Sequence, residues 1–222
     1  MSETRRIRLE VFSDYTCPWC YVGWARLEEA RSRLEDPDEV LVTWRPFEIH
    51  PDVPEGGMPV EELGYPEEQW ARMQEALRAQ AADAGLEVGR RPKVANTHRA
   101  LAAGAWAQTE RTDRFPAFHE RLFTGYFAEG RDLGDPEVLR ELAADAGLDP
   151  DAMDAALDAG AGEEALSATR EDAGRMGITG TPTFVFDRRL AVSGAQSAET
   201  LLRAVEAARA ARDEDAAERG AS

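Results

Sequence analysis

Sequence typical of β-strands occurs only near the two ends of the chain, with a long helical stretch between them. Residues 7–12 alternate apolar and polar side chains, and residues 40–47 form a second run rich in valine and aromatic residues. Strand-like sequence returns only at 183–186 and 190–192. Strands at both ends of a chain bury their apolar faces most simply in one shared sheet. The pattern therefore predicts an α/β fold whose single sheet domain is interrupted by an α-helical insertion.

The elements around these strands follow the order βαβ before the insertion and ββα after it. A helical pattern begins at Pro18, directly after the first strand, and a turn at 187–189 joins the last two strands into a hairpin. Ser197 is placed to cap the final helix. We predict a βαβ part, a helical insertion, a ββα part and a flexible acidic tail, at residues 5–62, 63–176, 177–212 and 213–222.

The insertion carries the start and stop signals of five or six helices. Pro66, Pro136 and Pro150 suit first helical positions, and Asp135 and Asp149 precede two of them as N-caps. A glycine directly after a helical pattern relieves the strain of a left-handed C-terminal residue. The glycines placed to end helices in this way are Gly85, Gly147 and Gly160.

The charge of the chain is strongly lopsided, with 43 acidic against 26 basic residues and a net charge of −17. A negative surface repels phosphate backbones and anionic lipid headgroups, so we expect neither nucleic acid nor a membrane as partner. The acidity suits a salt-rich, halophile-like cytoplasm, where ions screen the repulsion. That Lys93 is the sole lysine fits a GC-rich genome equally well. No secretory signal pattern follows Met1, so we expect a cytoplasmic protein.

Both cysteines of the chain lie within four residues, at Cys17 and Cys20, between the first strand and the first helix. Two cysteines are too few for a disulfide framework, and this spacing indicates either redox chemistry or metal binding. Structural zinc takes four ligands, and the three histidines are scattered singly, so we expect no metal. Within one helical turn the two sulfurs are close enough to form a disulfide. The pattern therefore favours a redox-active dithiol.

The position of the pair assigns a different role to each sulfur. With Pro18 at the first helical position, Cys17 becomes the N-cap, and the amides of Trp19 and Cys20 point towards its sulfur. These amides and the helix dipole favour the thiolate of Cys17. Cys20 lies one turn further on and is expected to be buried and protonated. We therefore predict that Cys17 exchanges with substrate and that Cys20 resolves the mixed disulfide.

A second candidate element lies far along the chain, where Thr181 and Pro182 precede the strand at 183–186. A proline between small residues at the start of a strand is a candidate for a cis peptide bond. In that geometry the backbone of Thr181 faces an extended peptide or a small thiol that lies beside Cys17. An ordinary trans proline that enters a strand is the alternative.

These features together resemble a known family over residues 7–208. A strand, Cys17-Pro18-Trp19-Cys20, a helix, a helical insertion and the Gly-Thr-Pro-Thr-Phe at 180–184 are similar to the DsbA-like branch of the thioredoxin superfamily. The resemblance implies a thioredoxin fold with a helical insertion and thiol–disulfide oxidoreductase activity. Further segments are similar to the FrnE-type subgroup, a relative of 2-hydroxychromene-2-carboxylate isomerases and kappa-class glutathione transferases, at residues 12–14, 21–23 and 45–51.

The chain departs from these relatives in ways that bear on its function. The isomerases and transferases typically have serine where Cys17 stands and activate glutathione, so two cysteines favour dithiol chemistry. DsbA has histidine where Trp19 stands, and without that cation we expect a weaker oxidant. We predict an oxidoreductase of protein or small-molecule disulfides that is a monomer or homodimer. It uses no cofactor beyond the Cys17–Cys20 disulfide, and a small thiol is a candidate co-substrate.

Two other functions remain open from the sequence. The first is a glutathione- or small-thiol-dependent isomerase or transferase, in which Cys17 binds and activates a thiol without forming a disulfide with Cys20. The second is a redox-sensing binding module, whose helical surface changes partners with the oxidation state of the pair.

Several other residues near the dithiol have two possible roles each. Glu10 in the first strand is either a buried carboxylate that shuttles the proton of Cys20 or a solvent-facing acid. Asp14 is expected to form the turn, because a charge there would oppose the thiolate. Trp19 offers a stacking surface for substrate or packs on the insertion, and His50 is expected in a loop. The remaining tryptophans are expected in core or interdomain packing, at Trp24, Trp44, Trp70 and Trp106.

Overall fold

The computed structural model describes residues 6–91 and 93–220. Six strands and eight α-helices lie in this part of the chain. The strands are β1 (Ile7–Ser13), β2 (Val40–Pro46), β3 (Met58–Pro59), β4 (Lys93–Val94), β5 (Thr183–Phe186) and β6 (Leu190–Ser193). The helices are α1 (Pro18–Ser32), α2 (Glu67–Asp83), α3 (His98–Glu110), α4 (Phe115–Phe127), α5 (Pro136–Asp145), α6 (Pro150–Asp158), α7 (Glu163–Met176) and α8 (Ala198–Gly220).

The two ends of the chain form one four-stranded sheet in the order β2-β1-β5-β6. β1 pairs with β2 in parallel through the α1 crossover, and it pairs with β5 in antiparallel orientation. β5 and β6 form the expected hairpin, whose turn places Asp187 and Arg188 at positive φ. The prediction of an α/β sheet with a helical insertion is therefore confirmed.

The sheet is covered on both faces because its central strands, β1 and β5, present apolar side chains on both of them. Leu9, Val11 and Phe184 belong to one apolar cluster with residues of α1 and α8. On the opposite face Phe12 and Val185 pack with Ala173 of α7. The dithiol at the start of α1 thus lies on the α1–α8 side of the sheet.

The insertion contains six of the helices, α2 to α7, as the start and stop signals predicted. Pro136 and Pro150 begin α5 and α6, and the carboxylates of Asp135 and Asp149 accept hydrogen bonds from the first-turn amides. Pro66 differs by one position, because α2 begins at Glu67 and Pro66 is its N-cap. Three glycines have the positive φ that ends a helix, at Gly85, Gly147 and Gly160.

The structure differs from the sequence-based prediction at the end of the chain and in the insertion. Helix α8 continues to Gly220, so 213–220 is helical where we predicted a flexible tail, and Arg189 pairs with Asp215 there at 2.6 Å. The two-residue strands β3 and β4 pair with each other and were not predicted. Residues 5, 221 and 222 of the predicted boundaries lie outside the described residues. No helix in the described part is long and apolar enough to cross a membrane.

Candidate active site

Cys17 is the N-cap of α1, and the local sequence explains why the helix begins there. Cys17 has extended backbone angles (φ −77°, ψ 114°), and Pro18 occupies the first helical position, where no amide hydrogen bond is lost. The amide of Cys17 donates to the carbonyl of Asp14 at 3.1 Å, which closes the turn after β1. The sequence predicted Cys17 as this N-cap, and its sulfur lies at the positive end of the helix dipole.

The two thiols have opposite acidities. Burial alone would raise the pKa of Cys17, but hydrogen bonds from the Cys20 thiol, the Thr181 hydroxyl and the Cys20 amide outweigh it and lower the pKa. For Cys20 the main cause is burial, which together with the neighbouring Cys17 raises its pKa well above the ordinary value. Cys17 therefore forms a thiolate more readily than Cys20, in the direction that the sequence predicted.

The segment before β5 lies directly beside Cys17. The peptide bond between Thr181 and Pro182 is cis, and the thiol of Cys17 donates to the carbonyl of Thr181 with an Sγ–O distance of 3.5 Å. Gly23 on α1 permits this approach, because a Cβ there would lie 3.0 Å from Cγ of Pro182. Two elements that are 164 residues apart in the sequence thus meet at one sulfur.

The hydroxyl of Thr181 is expected to stabilise the thiolate of Cys17. Its Oγ1 is buried and makes no hydrogen bond to any other described group, so its O–H is available to the thiolate of Cys17. Replacing Thr181 with valine is therefore expected to raise the pKa of Cys17, because this donor lowers it in the native protein. A hydrogen bond of about 1 kcal/mol corresponds to a roughly fivefold slower alkylation at pH 7.

Alkylation rates measured against pH test this expectation, since the midpoint should move to higher pH in Thr181→Val. Thr183→Val serves as the control variant, because the Thr183 hydroxyl donates to the carbonyl of Gly180 at 2.8 Å and not to a sulfur. A Thr181→Val profile that superimposes on that of the native protein would contradict the assignment.

Glu10 is not a neighbour of Cys20, which corrects one of the two roles considered for it. Glu10 extends from the α7 face of β1 and pairs with Arg45 at 2.6 Å and with Arg188 at 3.3 Å. Cys20 lies beside Ser13 at the other face of the sheet. Glu10 and Ser13 point to opposite faces, because successive residues of a strand alternate in direction. The β1 side chain beside Cys20 is Ser13, whose hydroxyl lowers the pKa of Cys20. Glu10 therefore holds the sheet and α7 together, in a cluster completed by Asp172.

Asp14 has a larger role in the structure than the turn that the sequence predicted. Its carboxylate is buried (1% exposed) and accepts four hydrogen bonds. Oδ1 accepts from the amide and the hydroxyl of Thr16 at 2.9 and 3.0 Å. Oδ2 accepts from the amide of Ile49 at 2.9 Å and from the hydroxyl of Thr97 at 3.3 Å. One side chain therefore fixes the turn before Cys17 to the loop after β2 and to the start of α3.

A cavity of about 740 Å³ opens at Cys17 and is closed on its far side by α2. Trp19 lines it and also packs against the insertion, so the packing role is observed and the stacking of substrate on its ring stays a prediction. Trp70 also lines the cavity, half-buried and stacked on Tyr65 at 6.1 Å, whereas the sequence suggested a core position. His50 lies in a loop, as expected, and faces the same space. Among the described residues, no group of three or more acidic, His or Cys side chains is arranged to hold a metal.

The cavity contains residues that the sequence alone did not single out. Tyr65, Trp70 and Arg78 come from α2 and the loop before it, and Arg90 and Arg91 come from the loop before β4. No motif marks these positions, because they join the cavity of Cys17 through long-range packing, of α2 against α1 and of Arg91 on the rings of α4. The one signal available was the helical spacing of Trp70, Met73 and Leu77 on an otherwise polar helix.

A four-stranded sheet with a dithiol at the N-terminus of α1 and a proline loop facing it defines a thioredoxin-type thiol protein. The chain belongs to the DSBA-like thioredoxin domain family, whose model matches residues 8–206. Members of this family are generally oxidoreductases, and the predicted resemblance to the DsbA-like branch is thereby confirmed.

Individual relatives cover most of the chain. The uncharacterized protein YwbO of Bacillus subtilis is 30% identical over 183 residues, which are 81% of this chain and 86% of YwbO. The structure of a probable DsbA oxidoreductase of Streptomyces coelicolor, SCO1869, is 35% identical with a TM-score of 0.83, covering 91% of this chain and 90% of that one. A 2-hydroxychromene-2-carboxylate isomerase is 15% identical with a TM-score of 0.67, covering 95% and 98%, and shares the fold.

Proposed function

We propose that the protein is a thiol–disulfide oxidoreductase that uses Cys17 and Cys20 on small-molecule or protein disulfides. The observation that carries this proposal is the opposite acidity of two adjacent thiols, of which Cys17 lines an open cavity. An exchange enzyme needs one sulfur that is a thiolate and accessible, and a second one that stays protonated until the first is bound. The family membership of the chain supports the same chemistry.

The reaction on a disulfide R–S–S–R proceeds in two exchange steps. The thiolate of Cys17 attacks one substrate sulfur, the substrate S–S bond breaks, and the released thiolate takes up a proton. Cys20 then loses its proton and attacks the sulfur of Cys17, which forms the Cys17–Cys20 disulfide and releases the second thiol. The protein dithiol loses two electrons and the substrate disulfide gains them. The reverse sequence oxidises a substrate dithiol.

The proline loop and the hydroxyl of Thr181 are proposed to support this exchange. The carbonyl of Thr181 already lies beside Sγ of Cys17, so a bound chain that extends along this edge would present its sulfur there. Trp19 and Pro18 form the adjoining wall of the cavity. We infer that Pro18, Trp19, Thr181 and Pro182 position substrate, whereas Cys17 and Cys20 carry the reaction.

A second candidate function is a small-thiol-dependent isomerase or transferase, and the size of the cavity is the observation that favours it. A space of about 740 Å³ is large enough for a drug-sized ligand. In such an enzyme Cys17 would bind or activate a thiol, and Cys20 would not be needed. The structure of the cytosolic disulfide reductase DsbM of Pseudomonas aeruginosa with GSH shares the fold at 23% identity (TM-score 0.61, covering 94% of this chain and 98% of that one).

Replacement of Cys20 by serine distinguishes the two candidates. For a dithiol enzyme, we expect Cys20→Ser to accumulate the mixed disulfide through Cys17 and to lose turnover by about three orders of magnitude, because no second thiol resolves the intermediate. The mass increase after incubation with a model disulfide and the rate of insulin reduction measure the two effects. The isomerase alternative instead predicts that Cys20→Ser keeps full activity with a small thiol.

The matched control is Cys17→Ser, which retains Cys20 but lacks the exchanging sulfur. It should form no mixed disulfide and reduce no insulin. Full activity of Cys17→Ser would overturn the proposal as a whole, and a partner that binds in a redox-dependent way without turnover would favour the sensing module.

The FrnE-type subgroup, the cytoplasmic location and the poise of a weaker oxidant than DsbA are further parts of this proposal. Trp19 supplies no cation to the thiolate, which supports the proposal of a weaker oxidant than DsbA. Measurement of the Cys17–Cys20 reduction potential in a defined thiol buffer tests it, because the value separates a reductase from an oxidase.

A further inference from the structure

The cavity beside Cys17 has a charge opposite to that of the protein as a whole. Although the chain has 43 acidic residues and a net charge of −17, none of the described residues that line the cavity is aspartate or glutamate. Three arginines line it instead: Arg78, Arg90 and Arg91. A cationic cavity in an acidic protein concentrates anions at that one place.

Arg91 is the half-buried one of these arginines, and none of the described residues is an anionic partner for it. Its guanidinium lies over the ring of Phe127 at 4.5 Å and over that of Tyr126 at 5.9 Å. Its Nη1 is buried and makes no hydrogen bond to any described residue, and no ion pair is found for it in the described part of the chain. Elsewhere, arginines of similar burial pair with carboxylates, as Arg26 does with Asp83 and Arg121 with Glu129.

Burial of a guanidinium without an anionic partner is energetically unfavourable, and a bound anion would offset this cost. Burial lowers the pKa of Arg91, which shows that its charge is poorly compensated by the protein itself. The aromatic rings hold the planar group in place, and its Nη1 donors make no hydrogen bond to a described residue. A guanidinium with free donors matches the two oxygens of a carboxylate.

We propose that the cavity binds small disulfides that carry a carboxylate, and that Arg91 holds this carboxylate while the disulfide reaches Cys17. The inference rests on the proposed function, since it names the substrate class of the same site. Arg91 is assigned as a binding residue, and the exchange itself follows the two steps given above, with the substrate disulfide as the oxidant. Arg78 and Arg90 are exposed and add positive charge at the same cavity.

The test compares model disulfides that are alike in size and differ in charge. The anionic probes are 3,3′-dithiodipropionate and 4,4′-dithiodibutyrate, the neutral probe is bis(2-hydroxyethyl) disulfide, and the cationic probe is cystamine. Acid-quenched mass spectrometry gives the rate at which each probe oxidises the reduced wild-type protein. We expect at least one anionic probe to react faster than the neutral one, and cystamine to react more slowly, in spite of the net charge of −17.

Substitution of Arg91 should remove this preference selectively. For Arg91→Gln we expect the rate with the anionic probe to fall roughly tenfold, the effect of one charge-assisted hydrogen bond, and the rate with the neutral probe to change less than twofold. Arg91→Lys should keep part of the preference, because it retains the charge without the planar group. The matched control is Arg111→Gln, since Arg111 also lies over a ring, that of Trp106 at 5.2 Å, but outside the cavity.

The possible outcomes separate this inference from the proposed function. If all probes oxidise the wild type at rates that do not depend on their charge, or if Arg91→Gln slows anionic and neutral probes equally, the carboxylate site is wrong and the oxidoreductase stands. If no probe reacts at all, the oxidoreductase is wrong. In that case, binding of the unreactive thioether 3-(methylthio)propionate still tests whether Arg91 holds a carboxylate. Binding is followed by the intrinsic tryptophan fluorescence, to which Trp19 and Trp70 of the cavity contribute. The carboxylate site requires that Arg91→Gln bind this compound more weakly than Arg111→Gln does, and equal binding by the two variants would contradict it.

Discussion

Iodoacetamide is expected to alkylate Cys17 of the reduced protein at pH 7 at least about a hundredfold faster than Cys20, because the thiolate is the reacting form. Hydrogen bonds lower the pKa of Cys17 in spite of its burial, whereas burial and the neighbouring sulfur raise the pKa of Cys20. Access acts weakly in the same direction, since both cysteines are buried, but Cys17 (3% exposed) lines the cavity and Cys20 (0% exposed) does not. Fragmentation of the peptide that contains both residues identifies which sulfur carries the label.

The dependence of this rate on pH provides a second measure. The rate at Cys17 should reach its plateau below the pH expected of an ordinary cysteine, because a lowered pKa fills the thiolate state earlier. In the control variant Cys17→Ser, the remaining Cys20 should stay nearly unreactive in the folded protein and react at an ordinary rate in urea. Equal labelling of both cysteines in the native protein would contradict the assigned roles.

The second large effect is expected at Asp14, where alanine should lower the free energy of unfolding by about 3 kcal/mol. The substitution leaves four donors without their acceptor: the amides of Thr16 and Ile49 and the hydroxyls of Thr16 and Thr97. Urea unfolding at pH 7 measures the loss. As a control, Asp135→Ala removes a carboxylate that accepts one amide hydrogen bond at the start of α5, and it should cost about 1 kcal/mol.

The pH dependence of this effect follows from the pKa of Asp14. Burial raises this pKa, against the lowering by its four hydrogen bonds. A carboxyl with a raised pKa contributes stability that is fully present below its unfolded pKa and is lost as pH rises through its folded pKa. The stability difference between wild type and Asp14→Ala should therefore be larger at about pH 3, below the ordinary pKa of aspartate, than at pH 8. A loss no larger than that of Asp135→Ala would show that the four contacts contribute little.

Asp14 also acts on the chemistry of its neighbour. Its charge raises the pKa of Cys17, although it is the smallest of the contributions after burial and the hydrogen bonds. Asp14 therefore holds the turn that places the dithiol and at the same time opposes the thiolate. This explains the apparent conflict in the sequence, where an acid three residues before a reactive cysteine looked unsuited to any role but a turn.

The local features of this chain were predictable because they depend on short-range interactions. The strand at Ile7–Ser13, the helix start at Pro18 and the caps at Asp135 and Asp149 each follow from a few neighbouring residues. The separation of strands to the two ends of the chain was enough to predict the interrupted sheet. The roles of Cys17 and Cys20 followed from their positions relative to one helix end.

The features that were not predicted depend on which surfaces meet in three dimensions. Strand alternation shows that Glu10 and Ser13 point to opposite faces, but only the packing of α1 shows which face carries Cys20. Trp70 became part of the cavity through the position of α2, and Arg91 through its packing on Tyr126 and Phe127 of α4. The acidic sequence after Asp213 looked like a tail, yet it is rich in alanine and glutamate, which favour helix, and it gains an ion pair with Arg189.

The single lysine gives this protein a practical property. Lys93 lies in β4, next to Val94 of the cavity wall, and its amine bonds Asp132 and the carbonyl of Gly56, at 2.5 and 3.0 Å. An amine-directed fluorophore therefore has one side-chain target in the whole chain, apart from the N-terminus. A dye attached there replaces the pairing of Lys93 with Asp132 and stands one residue from Val94 of the cavity wall, so every molecule labelled on a side chain carries its dye at the same position.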